Sequence, residues 1–292
     1  MSALPPATKA RYLVSSAWKA LRRRGQSCPS CGGLQARAVD RKFAVTALKR
    51  CQNCQLLYRT PTTTEAENEK FYQSAYRQGG TTEMPGDQEL KGLMATGFRG
   101  TSQDATSYVD VLRALGLRPG ARVLDFGCSW GYGAWQLQHA GYDVEGFEIS
   151  KSRCQYACDK LGIHAVNQLD ALQGEFDCIF SAHVVEHVPS VREFLQFARE
   201  SLRPGGLFVA FTPNGGEDFR RASPMVWHRF WGLVHPQLWD IVFCRSQLAQ
   251  FPTLVASTPY RLNEIAGWDQ SSRVEFRTDG SELLVVFRNT PE

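Results

Sequence analysis

Residues 123–133 read Val-Leu-Asp-Phe-Gly-Cys-Ser-Trp-Gly-Tyr-Gly, and their reading decides the fold. A short apolar run, Arg122–Phe126, passes through an acid straight into a glycine-rich turn, and Ala134–Ala140 beyond it has helical periodicity. Strand, tight turn and helix make the first unit of a doubly wound α/β sheet. Gly127 lets the chain leave the strand sharply, while Gly131 and Gly133 allow close approach of a ligand to the backbone. Asp125 can accept a hydrogen bond from a ligand ammonium. A second strand, Asp143–Phe147, leads to Glu148, 21 residues after Gly127, where an acid can accept both hydroxyls of a ribose. The acid before the turn suits an ammonium and not a pyrophosphate. With the spacing Gly-x-Ser-x-Gly, it argues against a nicotinamide dinucleotide.

The same alternation continues on both sides. Ala105–Leu115 is a helix ending at Gly116, Lys151–Leu161 a helix, His164–Asn167 and Asp177–Ala182 strands, Val191–Leu202 a helix and Leu207–Thr212 a strand. Arg273–Arg277 and Glu282–Arg288 flank Thr-Asp-Gly-Ser, a hairpin signal. The expected fold is therefore a Rossmann-like, doubly wound seven-stranded α/β sheet with a C-terminal antiparallel hairpin. The ligand is expected beyond the C-terminal ends of the first strands.

The front of the chain reads differently. Cys28-Pro-Ser-Cys31 and Cys51-Gln-Asn-Cys54 are two CxxC pairs separated by nineteen residues. Two residues between paired thiolates let a tight turn present both sulfurs to one tetrahedral ion, with backbone amides donating to the sulfurs. With short strands at Ala36–Val39 and Phe43–Leu48, this is a zinc ribbon holding one structural Zn²⁺ through Cys28, Cys31, Cys51 and Cys54. Cys128, Cys154, Cys158, Cys178 and Cys244 are scattered, which fits reduced thiols in a reducing compartment. Residues 1–60 carry twelve Lys or Arg against the single acid Asp40, a charge of +11, while the whole chain of 292 residues has only +4. Ala7–Arg24 is a basic amphipathic helix, which can lie on a membrane surface, on an anionic partner or on its own protein. The expected organisation is a helix at 1–24, the ribbon at 25–60, a helix with linker or lid at 61–103 (Thr64 and Glu67 forming a capping box, helix from Glu65 to about Tyr72), and a ligand-binding domain at 104–292. No apolar stretch reaches the ~20 residues that span a bilayer. With Lys9, Arg11 and Lys19 breaking any signal-peptide core, a cytoplasmic protein is expected, able to sit at the inner face of the membrane.

Val-Leu-Asp-Phe-Gly-Cys-Ser-Trp-Gly resembles the first motif of the class I S-adenosylmethionine-dependent methyltransferases, with Ser129 in place of the middle glycine. Phe147-Glu-Ile-Ser150 resembles their ribose motif, Phe176 through Val188 their fourth-strand motif, and Leu202-Arg-Pro-Gly-Gly206 the motif after it. The resemblance covers roughly residues 104–290. The front half is similar to bacterial methyltransferases with an N-terminal zinc ribbon, some of which act on nucleotide-linked sugars or glycans. It implies S-adenosylmethionine as cofactor, held by Asp125, Phe126, Gly127, Ser129, Gly131, Glu148, Ile149, Asp170 and His183. It also implies methyl transfer to a hydroxyl of a sugar, nucleotide sugar or glycan in polysaccharide biosynthesis; the Asn/Asp-Pro-Pro-Tyr/Phe motif of amino-methylating enzymes, which would favour a nucleic-acid substrate, is absent from the sequence.

Transfer to a hydroxyl needs a base. His183, at the end of the fourth strand, is the first candidate, His187 and His235 the others, and Glu186 lies close enough to share their site. In some related O-methyltransferases an acid/His group here contacts a divalent metal, and His183 replaces the first acid of that pattern. Trp227, His228, Phe230, Trp231, Trp239 and Phe243 could stack on a sugar or a base, or close a small subcore. The basic front would meet an anionic substrate, with nucleic acid or a membrane surface as other partners. Two further readings are an RNA methyltransferase gripping phosphates with the ribbon, and a non-catalytic scaffold retaining the fold.

Overall fold

The computed structural model describes residues 6–64, 67 and 83–290. In chain order the front part holds α1 (Pro6–Leu21), β1 (Ala36–Lys42), β2 (Thr46–Cys51) and β3 (Leu57–Thr60). Next come α2 (Asp87–Ala95), α3 (Thr106–Ala114), β4 (Arg122–Phe126), α4 (Tyr132–His139), β5 (Asp143–Phe147), α5 (Lys151–Leu161), β6 (His164–Val166) and β7 (Phe176–Ala182). The last part holds α6 (Val191–Ser201), β8 (Leu202–Pro213), α7 (Glu217–Ala222), α8 (Pro224–Phe230), β9 (Gln237–Leu238), α9 (Ile241–Gln247), β10 (Thr253–Ser257), α10 (Leu262–Ala266), β11 (Arg273–Glu275) and β12 (Glu282–Arg288).

The large sheet has eight strands in the order β11-β10-β12-β8-β7-β4-β5-β6. β4 is central and parallel to both β5 and β7, so the strand order reverses there. Alternate residues of the inner strands serve opposite faces. Val123, Phe180, Val209 and Val286 enter one core, and Leu124, Ile179, Phe208 and Val285 the other.

The C-terminal hairpin expected from the sequence does not form, and the strand count is eight, not seven. β11 pairs in parallel with β10, and β10 lies between it and β12, antiparallel to the latter. β10 is buried along its whole length and takes the edge of β12 that the hairpin would have used. The turn folds back on β10 instead: Gly280 N donates to Ser257 Oγ at 2.8 Å, and a Cβ on Gly280 would lie 1.8 Å from the Thr258 carbonyl oxygen.

The ribbon and the larger domain share a second sheet, β1-β2-β3-β9. β9 comes from the segment after β8 and pairs with β3 through Leu57↔Leu238 and Tyr58↔Gln237. Many of the front segment's charges turn inward here. Arg50 forms a two-pronged pair with Asp240 at 3.2 and 2.5 Å, Lys42 donates to the Trp231 carbonyl, and Arg59 donates to the Gly232 carbonyl at 3.2 Å. Asp40, the lone acid of the first sixty residues, accepts from His228 Nδ1 at 2.6 Å and Trp231 Nε1 at 2.8 Å. The +11 is thus partly an internal fastening, which weakens its use as a docking face for an anion. The Asp240 side chain is 1% exposed and also caps α9 by accepting from Phe243 N at 2.9 Å. Arg50→Ala leaves that carboxylate buried without its cation. The expected loss is about 3 kcal/mol of stability, read from urea unfolding.

Two other expectations change. The stretch expected as a linker or lid contains α2, which buries Leu90, and a turn that buries Phe98 against Trp130 and Trp135 at 6.0 and 5.4 Å between ring centroids. The helix expected from Glu65 to about Tyr72 lies outside the described residues apart from Glu67. The capping pair itself is present, with Thr64 N donating to Glu67 Oε2 at 2.7 Å and Glu67 N to Thr64 Oγ1 at 3.3 Å. Among the described residues no helix is long and apolar enough to cross a membrane.

Candidate active site

The turn after β4 is built on two glycines with left-handed backbones, Gly127 (φ 84°) and Gly131 (φ 92°). Their small size serves packing. A Cβ on Gly127 would meet Val184 Cγ2 at 2.4 Å, and one on Gly131 would meet Ala157 Cβ at 2.8 Å. The turn is therefore wedged between the end of β7 and α5, which differs from the expectation that Gly131 makes room for a ligand. Ser129 has φ 53°, a conformation that costs a non-glycine residue about 1–2 kcal/mol. It is held there from both ends: its N–H donates to Glu148 Oε2 at 3.0 Å, and its Oγ accepts from Arg153 Nη1 at 3.0 Å.

Glu148 also accepts from Ser150 N at 2.7 Å through Oε1. Each carboxylate oxygen has spent one lone pair on the loop and keeps another, which is what two ribose hydroxyls require. Burial pushes Glu148 up from the ordinary carboxylate range, opposed by the Ser150 amide and the Arg153 charge. Asp125 is fully enclosed, and burial together with the Glu148 charge pushes it up to about 7. Two acids converge on one turn, with Arg153 the one cation set against Glu148 among the described residues, so a cation placed between them is favoured. Ile149 lies exposed beside Glu148, and Asp170 is exposed in a single turn, Leu169–Ala171, between β6 and β7. Phe126 instead packs into the core against Phe147 and Phe194, at 4.9 and 4.8 Å between centroids, so only its backbone faces the turn.

The chain leaves β7 through His183, which has φ 56°, and Val184 beside it touches Gly127. His183 Nε2 lies 2.7 Å from Glu282 Oε2, and Nδ1 lies 3.6 Å from Glu186 Oε1. Glu282 also accepts from Tyr108 Oη at 2.9 Å and Tyr260 Oη at 2.7 Å. Burial opposes the charge on His183, but Glu186 and Glu282 outweigh it and push the imidazole up. The side chain is 47% exposed, so solvent moderates the shift without reversing it. A ring held protonated at neutral pH donates to Glu282 and is a poor proton acceptor, which displaces His183 as first choice of base.

His187 and His235 face each other with ring centroids 4.9 Å apart, His235 arriving from the segment between α8 and β9. Burial pushes His187 down to about 4 and His235 down as well, so both are neutral near pH 7. His187 Nδ1 lies 2.6 Å from the Val234 carbonyl, and His235 Nδ1 2.6 Å from the Phe230 carbonyl. The aromatic residues expected to stack on a sugar do not line this site. Trp227, Trp231, Trp239 and Phe243 are all 2% exposed or less, filling the seam under the ribbon because β9 and α9 are drawn into the β3 edge.

The four ribbon cysteines meet in one place with no disulfide, Cys28 Sγ 3.5 Å from Cys54 Sγ and Cys31 Sγ 3.4 Å from Cys51 Sγ. Amides of Ser30 and Cys31 donate to Cys28, and Leu56 N to Cys54, the thiolate-stabilising turns expected of zinc knuckles. Four sulfurs so close cannot all ionise without a cation between them, so the set fits a tetrahedral Zn²⁺.

A family model described as a methyltransferase domain matches residues 101–251, more than half of the chain. The chain belongs to this methyltransferase domain family. A ubiquinone biosynthesis O-methyltransferase of Roseobacter denitrificans is 31% identical over 144 residues, 42% of this chain and 58% of that protein. One from Methylocella silvestris is 33% identical over 136 residues, 43% of this chain and 50% of that one. The chain thus spans about half the length of the curated relatives it matches. A solved magnesium protoporphyrin IX methyltransferase from Synechocystis PCC 6803 with bound S-adenosylmethionine superposes over 78% of this chain and 100% of its own, at 17% identity and a TM-score of 0.47.

The candidate site also contains residues that sequence reasoning missed. Arg153, 5% exposed, anchors Ser129 and stands by Glu148. Glu282 and Tyr108 reach His183 from β12 and from α3, and Tyr260 reaches Glu282 from the loop before α10. One signal was available: a glutamate at the start of an apolar strand, ahead of Leu-Leu-Val-Val-Phe, is costly there unless it is paired.

Proposed function

We propose that this methyltransferase transfers the methyl group of S-adenosylmethionine to a hydroxyl of a small molecule. The observation that carries it is the convergence of Asp125 and Glu148 on one left-handed turn with the end of β7 pressed against it at Val184. The two acids suit a ligand with a cationic amino-acid part and a ribose. The acceptor would then enter on the β7 side, in line with the sulfonium. The oxygen attacks the methyl carbon as the carbon–sulfur bond breaks, and the hydroxyl proton leaves to a base. His187 and His235, kept neutral by burial, are the groups able to receive it, while His183 holds Glu282. Asp170 and Ile149 are proposed to border the adenine, and the ribbon to hold a structural zinc.

The relatives are named as O-methyltransferases, which favours oxygen as the acceptor atom. A sugar or glycan finds no support in those names. Its other argument falls with the burial of the tryptophans. Calorimetry with S-adenosylmethionine, followed by transfer of labelled methyl to a panel of small phenols and alcohols, tests the reading. Micromolar binding with label on oxygen is expected. No binding at millimolar cofactor would overturn it.

A further inference from the structure

Arg153 stands at the third position of α5 and is buried. A cation in the first turn of a helix faces the positive end of the helix dipole, and burial adds to the cost. Its Nη1 donates to Ser129 Oγ at 3.0 Å, and its charge favours the Glu148 carboxylate. Ser129 itself has a left-handed backbone, φ 53°, which glycine would adopt without strain. Two locally unfavourable choices, 24 positions apart, thus meet in one hydrogen bond.

That bond closes a ring. Ser129 N donates to Glu148 Oε2 at 3.0 Å, Ser150 N donates to Glu148 Oε1 at 2.7 Å, and Arg153 N donates to the Ser150 carbonyl at 3.1 Å. Each carboxylate oxygen has an amide donor, and the two amides together set the plane of the carboxylate. Ser150 N is fixed at the head of α5. Ser129 N belongs to a strained residue whose side chain is held by Arg153. Without the guanidinium, Ser129 loses a buried anchor and can relax out of the left-handed region, taking its amide away from Oε2.

We propose that Arg153 is a positioning residue for the cofactor: through Ser129 it keeps Glu148 turned toward both ribose hydroxyls, and it thereby decides how strongly the site prefers a ribose to a 2′-deoxyribose. The role rests on the proposed binding of S-adenosylmethionine. The charge of Arg153 also offsets that of Glu148, and the two contributions separate in the Ser129→Gly background. There the left-handed backbone is free of strain, and the amide stays on Glu148 without help from a side chain. A guanidinium acting by charge alone is still needed in that background, whereas one acting through Ser129 is not.

The test is calorimetry of the full chain at pH 8 with S-adenosylhomocysteine and with its 2′-deoxy analogue. Wild type should favour the ribose ligand about thirtyfold, the worth of a hydrogen bond to a charged group. Arg153→Met should weaken S-adenosylhomocysteine at least about tenfold and the 2′-deoxy analogue less than about threefold, whereas a merely structural role would weaken both alike. In the Ser129→Gly background the same substitution should cost less than about threefold for either ligand. Melting curves identify a variant that fails to fold, and Arg153→Gln then replaces Arg153→Met. Equal loss of both ligands in a folded variant, an undiminished ribose preference, or the full cost of Arg153→Met persisting in the Ser129→Gly background overturns the role. Wild type that binds neither ligand at millimolar concentration overturns the proposed function, and this role with it.

Discussion

Asp125→Asn is expected to cost the protein its affinity for S-adenosylmethionine while making the ligand-free fold more stable above neutral pH. The two effects have one cause. Asp125 is enclosed at the end of β4 with Glu148 nearby, and its folded value is pushed up to about 7, against an unfolded value of about 3.9. Below both values the carboxyl is neutral in either state and there is no penalty. As pH rises from about 4 towards 7 the unfolded chain ionises while the fold resists, and stability falls by about 1.4 kcal/mol per pH unit. Above 7 the full penalty, up to about 4 kcal/mol, remains. Asn keeps the shape and removes the charge, so the melting temperature of the ligand-free variant should rise above neutral pH and change little near pH 4.

The cofactor reverses that balance. Its ammonium favours the ionised carboxylate, so binding below pH 7 must expel a proton, and affinity should fall about tenfold per pH unit on the acid side. Asn cannot offer the charge, and a loss of about a hundredfold in affinity, roughly 2.7 kcal/mol, is expected at pH 8. Calorimetry in buffers of different ionisation enthalpy reads the proton release directly. Undiminished affinity in the variant, or an affinity flat from pH 6 to 8, would remove Asp125 from the cofactor site.

Stripping zinc from the ribbon is expected to disable methyl transfer without removing cofactor binding. Leu48, Leu56, Leu57 and Tyr58 of the ribbon pack into the seam shared with the larger domain, while the two CxxC turns are joined to each other through their four thiolates; structural zinc supplies roughly 10–16 kcal/mol in isolated fingers. The consequence travels through β3. That strand pairs with β9, Arg59 N holds the Pro236 carbonyl, and Arg50 holds Asp240. His235 sits in the middle of this clasped segment, whereas Asp125, Glu148 and Arg153 belong to the large sheet and α5. Hydrogen exchange on the chelated protein should therefore show lost protection at 36–60 and at 231–240 together. Turnover should fall at least a hundredfold, with S-adenosylmethionine affinity changed less than about threefold. Cys51→Ser should reproduce the pattern. Protection persisting at 231–240, or equal loss of cofactor binding, would separate the ribbon from the active site.

The parallel part of the sheet was legible in the sequence because its signals are local. Val123, Leu124 and Phe126 make a strand buried on both faces, Gly127 ends it sharply, and Glu148 closes the next strand. Cys28, Cys31, Cys51 and Cys54 were equally legible, since two-residue spacing by itself brings paired sulfurs together. The C-terminal half was not. The 273–277 and 282–288 segments have the composition of a hairpin, but strand pairing is decided by which edge is free, and β10 occupied the edge of β12. The tryptophans after β8 could not be assigned either, because aromatic density is the same for a stacking platform and for a seam.

The amino-acid sequence by itself thus determined the glycine-rich turn after β4, the parallel strands and helices around it and the two CxxC turns, all of which depend on residues near one another in the chain. Tertiary structure alone decided that the basic ribbon grips the segment carrying β9, that Glu282 and Tyr108 contact His183, and that the buried Glu186 lies beside His235. The physical reason is that these contacts join residues far apart in the chain, 75 and 99 positions at His183 and 190 at Arg50–Asp240. Charge and protonation there are set by burial and by neighbours that no local pattern encodes.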